Sequence, residues 1–140
     1  MAFYSDKSRA ISGAADGTLK LWDLIKAEEL ATLQGHSAAV SALCMGSSMR
    51  WAISSSEDRT LKVWDLINQK EVWTLRGHDH LVTAIGVSKD LELAVSGSRD
   101  TTVRIWHPLR GAAAYVARTH RRSQRSCNKP GWDSCRFGWR

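Results

Sequence analysis

The chain has 140 residues, of which 43% are hydrophobic, enough for one domain with a buried core. Its formal net charge of +6 lies entirely in residues 118–140, where seven basic side chains stand against one acid, while residues 1–117 carry 13 basic and 13 acidic residues. The basic balance therefore says nothing about the surface of residues 1–117, and no apolar run approaches the roughly 18 residues of a membrane-spanning helix.

The opening MAFYSDKSRA contains no apolar segment of the kind that heads a secretory leader. Three cysteines without a paired framework fit a reducing, cytoplasmic compartment. From residue 1 onward the sequence keeps a spacing of 42. Trp22, Trp64 and Trp106 fall on it, as do Asp16, Asp58 and Asp100, and Ser12, Ser54 and Ser96. Gly35-His36 recurs as Gly77-His78 at the same interval.

Short β-branched and aliphatic runs fill each interval, separated by Gly, Ser, Asn or charged breaks. Residues 1–3 align with the end of a first strand, and strands are predicted over 10–13, 18–23 and 29–33. The next unit, residues 35–76, predicts strands over 39–45, 51–54, 60–65 and 71–75. Within it Leu61, Val63 and Asp65 alternate with Lys62 and Trp64, the period of a strand with two different faces. The third unit, residues 77–118, predicts strands near 81–87, 91–96, 102–106 and 113–117. His107-Pro108 replaces the Asp-Leu of the earlier units, and Pro108 cannot donate to a ladder, so the third strand should stop at His107. No stretch of the repeats shows an apolar stripe at helical spacing, and the repeat region reads as all-β.

A period in the range of roughly 40–45 residues, headed by Gly-His and closed by Trp-Asp, is the pattern of a four-stranded propeller blade. On these residues, over about 1–118, the chain resembles the WD40 repeat family. The resemblance implies an all-β propeller segment with units at 1–34, 35–76 and 77–118, followed by a basic tail at 119–140. It implies that His36, Ser54, Asp58 and Trp64 hydrogen-bond in series as a structural brace, as do His78, Ser96, Asp100 and Trp106. The first unit supplies Ser12, Asp16 and Trp22 without a histidine. It also implies that the turns carrying Ala15, Glu57 and Arg99, with Ser37 and Asp79 after each Gly-His, face a rim that binds other proteins or peptides. The TLKLWDL and TLKVWDL segments resemble propellers attached to bacterial signalling NTPases. Since propellers have typically 4–8 blades, three units are expected to be a fragment of a longer repeat protein, or to self-associate into a complete ring.

Other chemistries fit less well. Ser54, His36 and Asp58 have the residue types of a hydrolase triad. Their recurrence at the repeat period points to a brace, because a catalytic site is seldom needed once per repeat. Cys127 and Cys135 are separated by seven residues, too many for the usual zinc pairing, and Cys44 reads as a small buried hydrophobe in a strand. Gly13-Ala14-Ala15-Asp16-Gly17 lacks the Gly-Lys-Ser/Thr end of a phosphate loop. No cofactor or metal is expected. After Arg118 the strand pattern stops, and the Arg/Ser/Trp/Cys-rich tail reads as disordered or translated out of frame. Its arginines offer a competing role in binding nucleic acid or an acidic surface.

Overall fold

Each run of β-branched and aliphatic residues becomes a strand, and each Gly, Ser or charged break becomes a turn. The computed structural model describes residues 2–3 and 8–118, so the tail assigned to 119–140 lies outside the described residues. β1 (Ala2–Phe3), β2 (Arg9–Gly13), β3 (Leu19–Asp23) and β4 (Glu28–Leu33) pair in that order as one antiparallel sheet. β5 (Val40–Met45), β6 (Trp51–Ser56), β7 (Leu61–Asp65) and β8 (Lys70–Leu75) form a second. β9 (Val82–Val87), β10 (Ala94–Ser98), β11 (Thr102–His107) and β12 (Ala112–Arg118) form a third. Each sheet is one blade. Among the described residues no helix is long and apolar enough to cross a membrane.

The core lies between the sheets. Ile11, Leu19, Leu21 and Leu33 of blade 1 close on Ala52, Trp64 and Leu66 of blade 2. One interface further on, Ile53, Leu61, Val63 and Leu75 of blade 2 close on Val82, Leu91, Ala94 and Trp106 of blade 3. The middle blade is therefore buried on both faces, and every residue of β7 is buried. The period of two in β7 sorts side chains between two cores, Leu61 and Val63 toward one and Trp64 toward the other, and not between core and solvent.

Each tryptophan stands opposite an alanine: Trp22 pairs with Ala10, Trp64 with Ala52 and Trp106 with Ala94. The ladder to the outermost strand slips at the same tryptophan in all three blades. Such a bulge bends the outer strand and re-aims side chains around it.

Strand ends differ from the sequence expectation by a residue or two, with one larger correction. Residues 91–93 do not belong to β10, which begins at Ala94. Leu91 takes the left-handed conformation (φ 59°) in the preceding turn, is 1% exposed, and packs against Gly46 of blade 2, leaving no room for a side chain there. Met49, 42 residues earlier, has the same conformation (φ 56°) and packs into the first interface. An apolar residue is used here as a plug at a turn, and its sequence reads as strand. β11 does end at His107, and Pro108 opens a 3-10 turn that suits a residue without an N–H. Gly111 closes that turn at φ 65° beneath the Trp73 ring.

Candidate functional site

His36 sits in the loop from β4 to β5, Ser54 on β6, Asp58 in the β6–β7 turn and Trp64 on β7. His36 Nδ1 lies 2.8 Å from Asp58 Oδ2 and Nε2 lies 2.7 Å from Ser54 Oγ. Trp64 Nε1 donates to the same Ser54 Oγ at 2.8 Å. The direction of each proton follows from what each atom can do. A carboxylate only accepts, so Nδ1–H donates to Asp58, Nε2 is left as an acceptor, and the Ser54 hydroxyl must donate to it. That hydroxyl's oxygen then takes the indole N–H. Thr60 completes the set, giving Asp58 Oδ1 its backbone N–H at 2.9 Å and its hydroxyl at 2.6 Å.

Blade 3 repeats the arrangement. His78 reaches Asp100 at 2.8 Å and Ser96 at 2.7 Å, and Trp106 donates to Ser96 at 2.8 Å. In blade 1 Trp22 donates to Ser12 at 2.8 Å, and Asp16 accepts from the Thr18 N–H and hydroxyl. Trp22 there is half-buried, unlike Trp64 and Trp106 at 1% exposure.

The Ser–His–Asp polarity is that of a nucleophilic triad, but the surroundings are not. Ser54 and Ser96 are 0% exposed, and each hydroxyl oxygen already holds an indole N–H. Burial pushes the His36 imidazole below its ordinary value, and its hydrogen bond to Asp58 only partly opposes this. Burial alone would raise the Asp58 carboxyl; hydrogen bonds from Thr60 and His36 outweigh it and hold the group below the usual carboxylate range. Asp100 is held down the same way, by Thr102 and His78 against burial. At the opposite end of the blade, burial of Asp65 is outweighed by Asn68, Arg50 and the Ile67 N–H, which lower it to about 2.

These shifts fix a pH dependence. The folded His36 value lies below the unfolded one, so its contribution is intact above about 6.5 and is lost as pH falls through the folded value. The lowered carboxylates act with the same sign, their contribution being intact above about 3.9 and lost below it. Thermal melts followed by circular dichroism should stay level near neutrality, decline as pH drops below about 6.5, and decline again below about 4. His36→Gln should diminish the first decline. A melting temperature unchanged from pH 7 to 5 would contradict the buried, neutral imidazole.

The five positions expected at a binding rim lie in turns and loops at one end of the sheets. Ala15, Glu57, Arg99, Ser37 and Asp79 are all exposed. Their backbones are clamped: Glu57 N–H donates to Ala39 O at 3.0 Å and Arg99 N–H to Leu81 O at 3.1 Å. Ser37 N–H donates to Asp58 at 3.1 Å and Asp79 N–H to Asp100 at 3.0 Å. The blade 1 turn joins the same end, since Val40 N–H donates to Ala14 O and Gly17 packs under the His36 and Ala38 carbonyls.

Several participants were not singled out from sequence. Thr18, Thr60 and Thr102 share the 42-residue spacing, which was signal enough to find them. Ser56 and Ser98 tie each turn to the loop beside it through carbonyls of Ala38, His80 and Leu81. Lys62 is buried at 7% exposure, with Nζ 2.7 Å from both Glu71 carboxylate oxygens. Cys44 is half-buried and not enclosed as expected; its thiol donates to Ile85 O at 3.5 Å, because β5 is the strand nearest the neighbouring blade's β9.

Among known proteins, the family model described as WD domain, G-beta repeat matches residues 1–23, 27–65 and 69–107. A solved structure described as the structure of U3-55K is similar with a TM-score of 0.80 at 19% sequence identity, covering 86% of this chain. This chain spans 38% of the length of that one. No curated protein matches the sequence.

Proposed function

Because the chain belongs to the WD40 family, the WD domain with its G-beta repeats, we propose that it is a protein-interaction scaffold that binds other proteins or peptides at the rim. Members of this family are generally non-catalytic platforms. The observation that carries the reading is the pairing of a buried relay with an exposed end. Ala15, Glu57, Arg99, Ser37 and Asp79 differ in chemistry from blade to blade, while the groups beneath them repeat. A fixed frame carrying variable side chains suits selective binding, and it gives catalysis no exposed nucleophile at Ser54 or Ser96. We assign residues 1–34, 35–76 and 77–118 to successive blades and the chain to a cytoplasmic setting.

Peptides selected on the wild-type chain from a displayed library should bind Glu57→Lys or Arg99→Glu at least about tenfold more weakly, as expected for loss of a central contact. Both variants should melt within a few degrees of wild type, as surface substitutions do. Unchanged binding, or a collapse of folding in both, would refute the rim assignment. The arginines of residues 118–140 favour one second reading, a tail that grips nucleic acid or an acidic surface. Removing residues 119–140 separates the two, since a rim binder keeps its peptides and a tail-driven binder loses its ligand.

A further inference from the structure

On the third strand of each blade, two residues before the tryptophan, stands a cation: Lys20, Lys62 and Arg104. In the first two blades the outermost strand supplies its carboxylate. Lys20 Nζ lies 2.7 Å from Glu29, which Thr32 also bonds. Lys62 Nζ lies 2.7 Å from both oxygens of Glu71 and 2.9 Å from Thr74 Oγ1, and Thr74 bonds Glu71. In blade 3 the residues at the equivalent places are Ala113 and Val116, both exposed. The acid and the hydroxyl are gone, and the cation remains.

Among the described residues no carboxylate pairs with Arg104. Its Nε is a buried side-chain nitrogen with no hydrogen-bond partner, the one such atom among the described residues. Its guanidinium is held against the backbone at Gly77, where an added Cβ would meet Nη1 at 2.7 Å, and near the edge of the Trp106 ring. A buried guanidinium N–H left unpaired is costly, and a carboxylate is the group whose geometry matches its fork.

We propose that Arg104 binds a carboxylate side chain of a partner polypeptide laid in extended form along β12. Blades 1 and 2 show which ligand the position takes, since each holds a glutamate there. The apolar Ala113 and Val116 beside it favour a peptide over a free anion. β12 is also the outermost strand of its sheet, so its outer edge can pair with an added strand. Along such a strand alternate side chains face the same way, and a sequence alternating acidic and apolar residues fits both features. This surface lies on the blade's outer perimeter, separate from the rim.

The probe is an amide-capped heptapeptide of alternating valine and glutamate, titrated by calorimetry into the full 140-residue chain. Saturable binding is expected, weakened at least about tenfold when glutamine replaces each glutamate or in Arg104→Gln, as for removal of one partner of a desolvated charge pair. Ala113→Glu rebuilds from within the pair seen in blade 2. It should raise the melting temperature and weaken the peptide to the same extent, which keeps the test valid if Arg104→Gln folds poorly. Glu57→Lys at the rim should leave the titration unchanged, so failure here is distinct from failure of the rim. Absence of saturable binding up to about 1 mM, a bound of only about 4 kcal/mol, would overturn the proposal. So would equal affinity in Ala113→Glu, or competition by acetate at the peptide's own concentration, which would mark a bare anion site.

Discussion

Replacing Trp64 by alanine should cost roughly 3–5 kcal/mol, the usual range for deleting a buried aromatic side chain. The indole is 1% exposed and fills the interface against Ile11, Leu19, Leu21 and Leu33, so its loss opens a cavity between two blades. It also meets the His36 ring edge-on at a centroid distance of 6.2 Å, and its N–H anchors Ser54 at 2.8 Å. Deletion therefore loosens the relay and the packing together. Against a total stability of about 5–15 kcal/mol for an ordinary domain, the loss is large. Trp64→Phe keeps most of the volume and removes the donor; it should cost less, with a share of about 1 kcal/mol for the missing hydrogen bond. Trp22→Ala removes a half-buried ring and should cost least of the three. Urea titrations of the variants test the order. Equal losses at Trp22 and Trp64 would mean that the interface between blades 1 and 2 does not depend on the indole.

What could be read in advance was whatever repeats with a local signature. A spacing of 42 brings His36, Ser54, Asp58 and Trp64 into register with His78, Ser96, Asp100 and Trp106, and strand composition sets where the ladders run. Features that depend on neighbours across a sheet or between sheets were hidden. Leu91 looks like the first residue of a strand because it is apolar. Only its position beside Gly46 of the preceding blade shows that it is a turn plug. Lys62 looks like a solvated strand residue. Its burial makes sense once the bulge at Trp64 brings Glu71 of β8 within 2.7 Å. The same step was needed to see that Arg104 lacks a partner, since the β11–β12 ladder sets Val116 opposite Arg104 and Ala113 opposite Trp106. Pattern in one strand reports which faces alternate, not what covers them.

What covers the last face governs the second large effect. Ile11, Leu19, Leu21 and Leu33 are buried by blade 2, and Ile53, Leu61, Val63 and Leu75 by blade 3. The corresponding positions in blade 3 are Val95, Val103, Ile105 and Ala117, and these are only half-buried or, for Val95, 41% exposed. The complementary face is Ala52, Trp64 and Leu66 in blade 2, whose counterparts in blade 1 are Ala10, Trp22 and Leu24. Trp22 is half-buried there and Leu24 is 43% exposed. Among the described residues, blades 1 and 3 thus present two faces whose chemistry matches the two sides of the internal interfaces. The expected result is contact between blade 3 of one copy and blade 1 of another. Complete burial of a Val or Ile side chain is worth roughly 1.5–3 kcal/mol, and these partly covered ones can gain only about half of that each, so several must be buried together to exceed an association cost of at least about 4 kcal/mol. A head-to-tail contact of this kind runs on into filaments unless it closes. Two copies supply six blades, within the usual range of about 4–8, so a closed dimer is the expected end state. Sedimentation should find dimers or larger species at concentrations of tens of micromolar, on the scale of about 6 kcal/mol of binding. Val95→Lys with Ile105→Lys should shift the chain to monomer, because a lysine on the buried face would carry its charge out of water. A wild-type chain that sediments as a sharply melting monomer, or a double variant that assembles as well as wild type, would show that these faces do not meet.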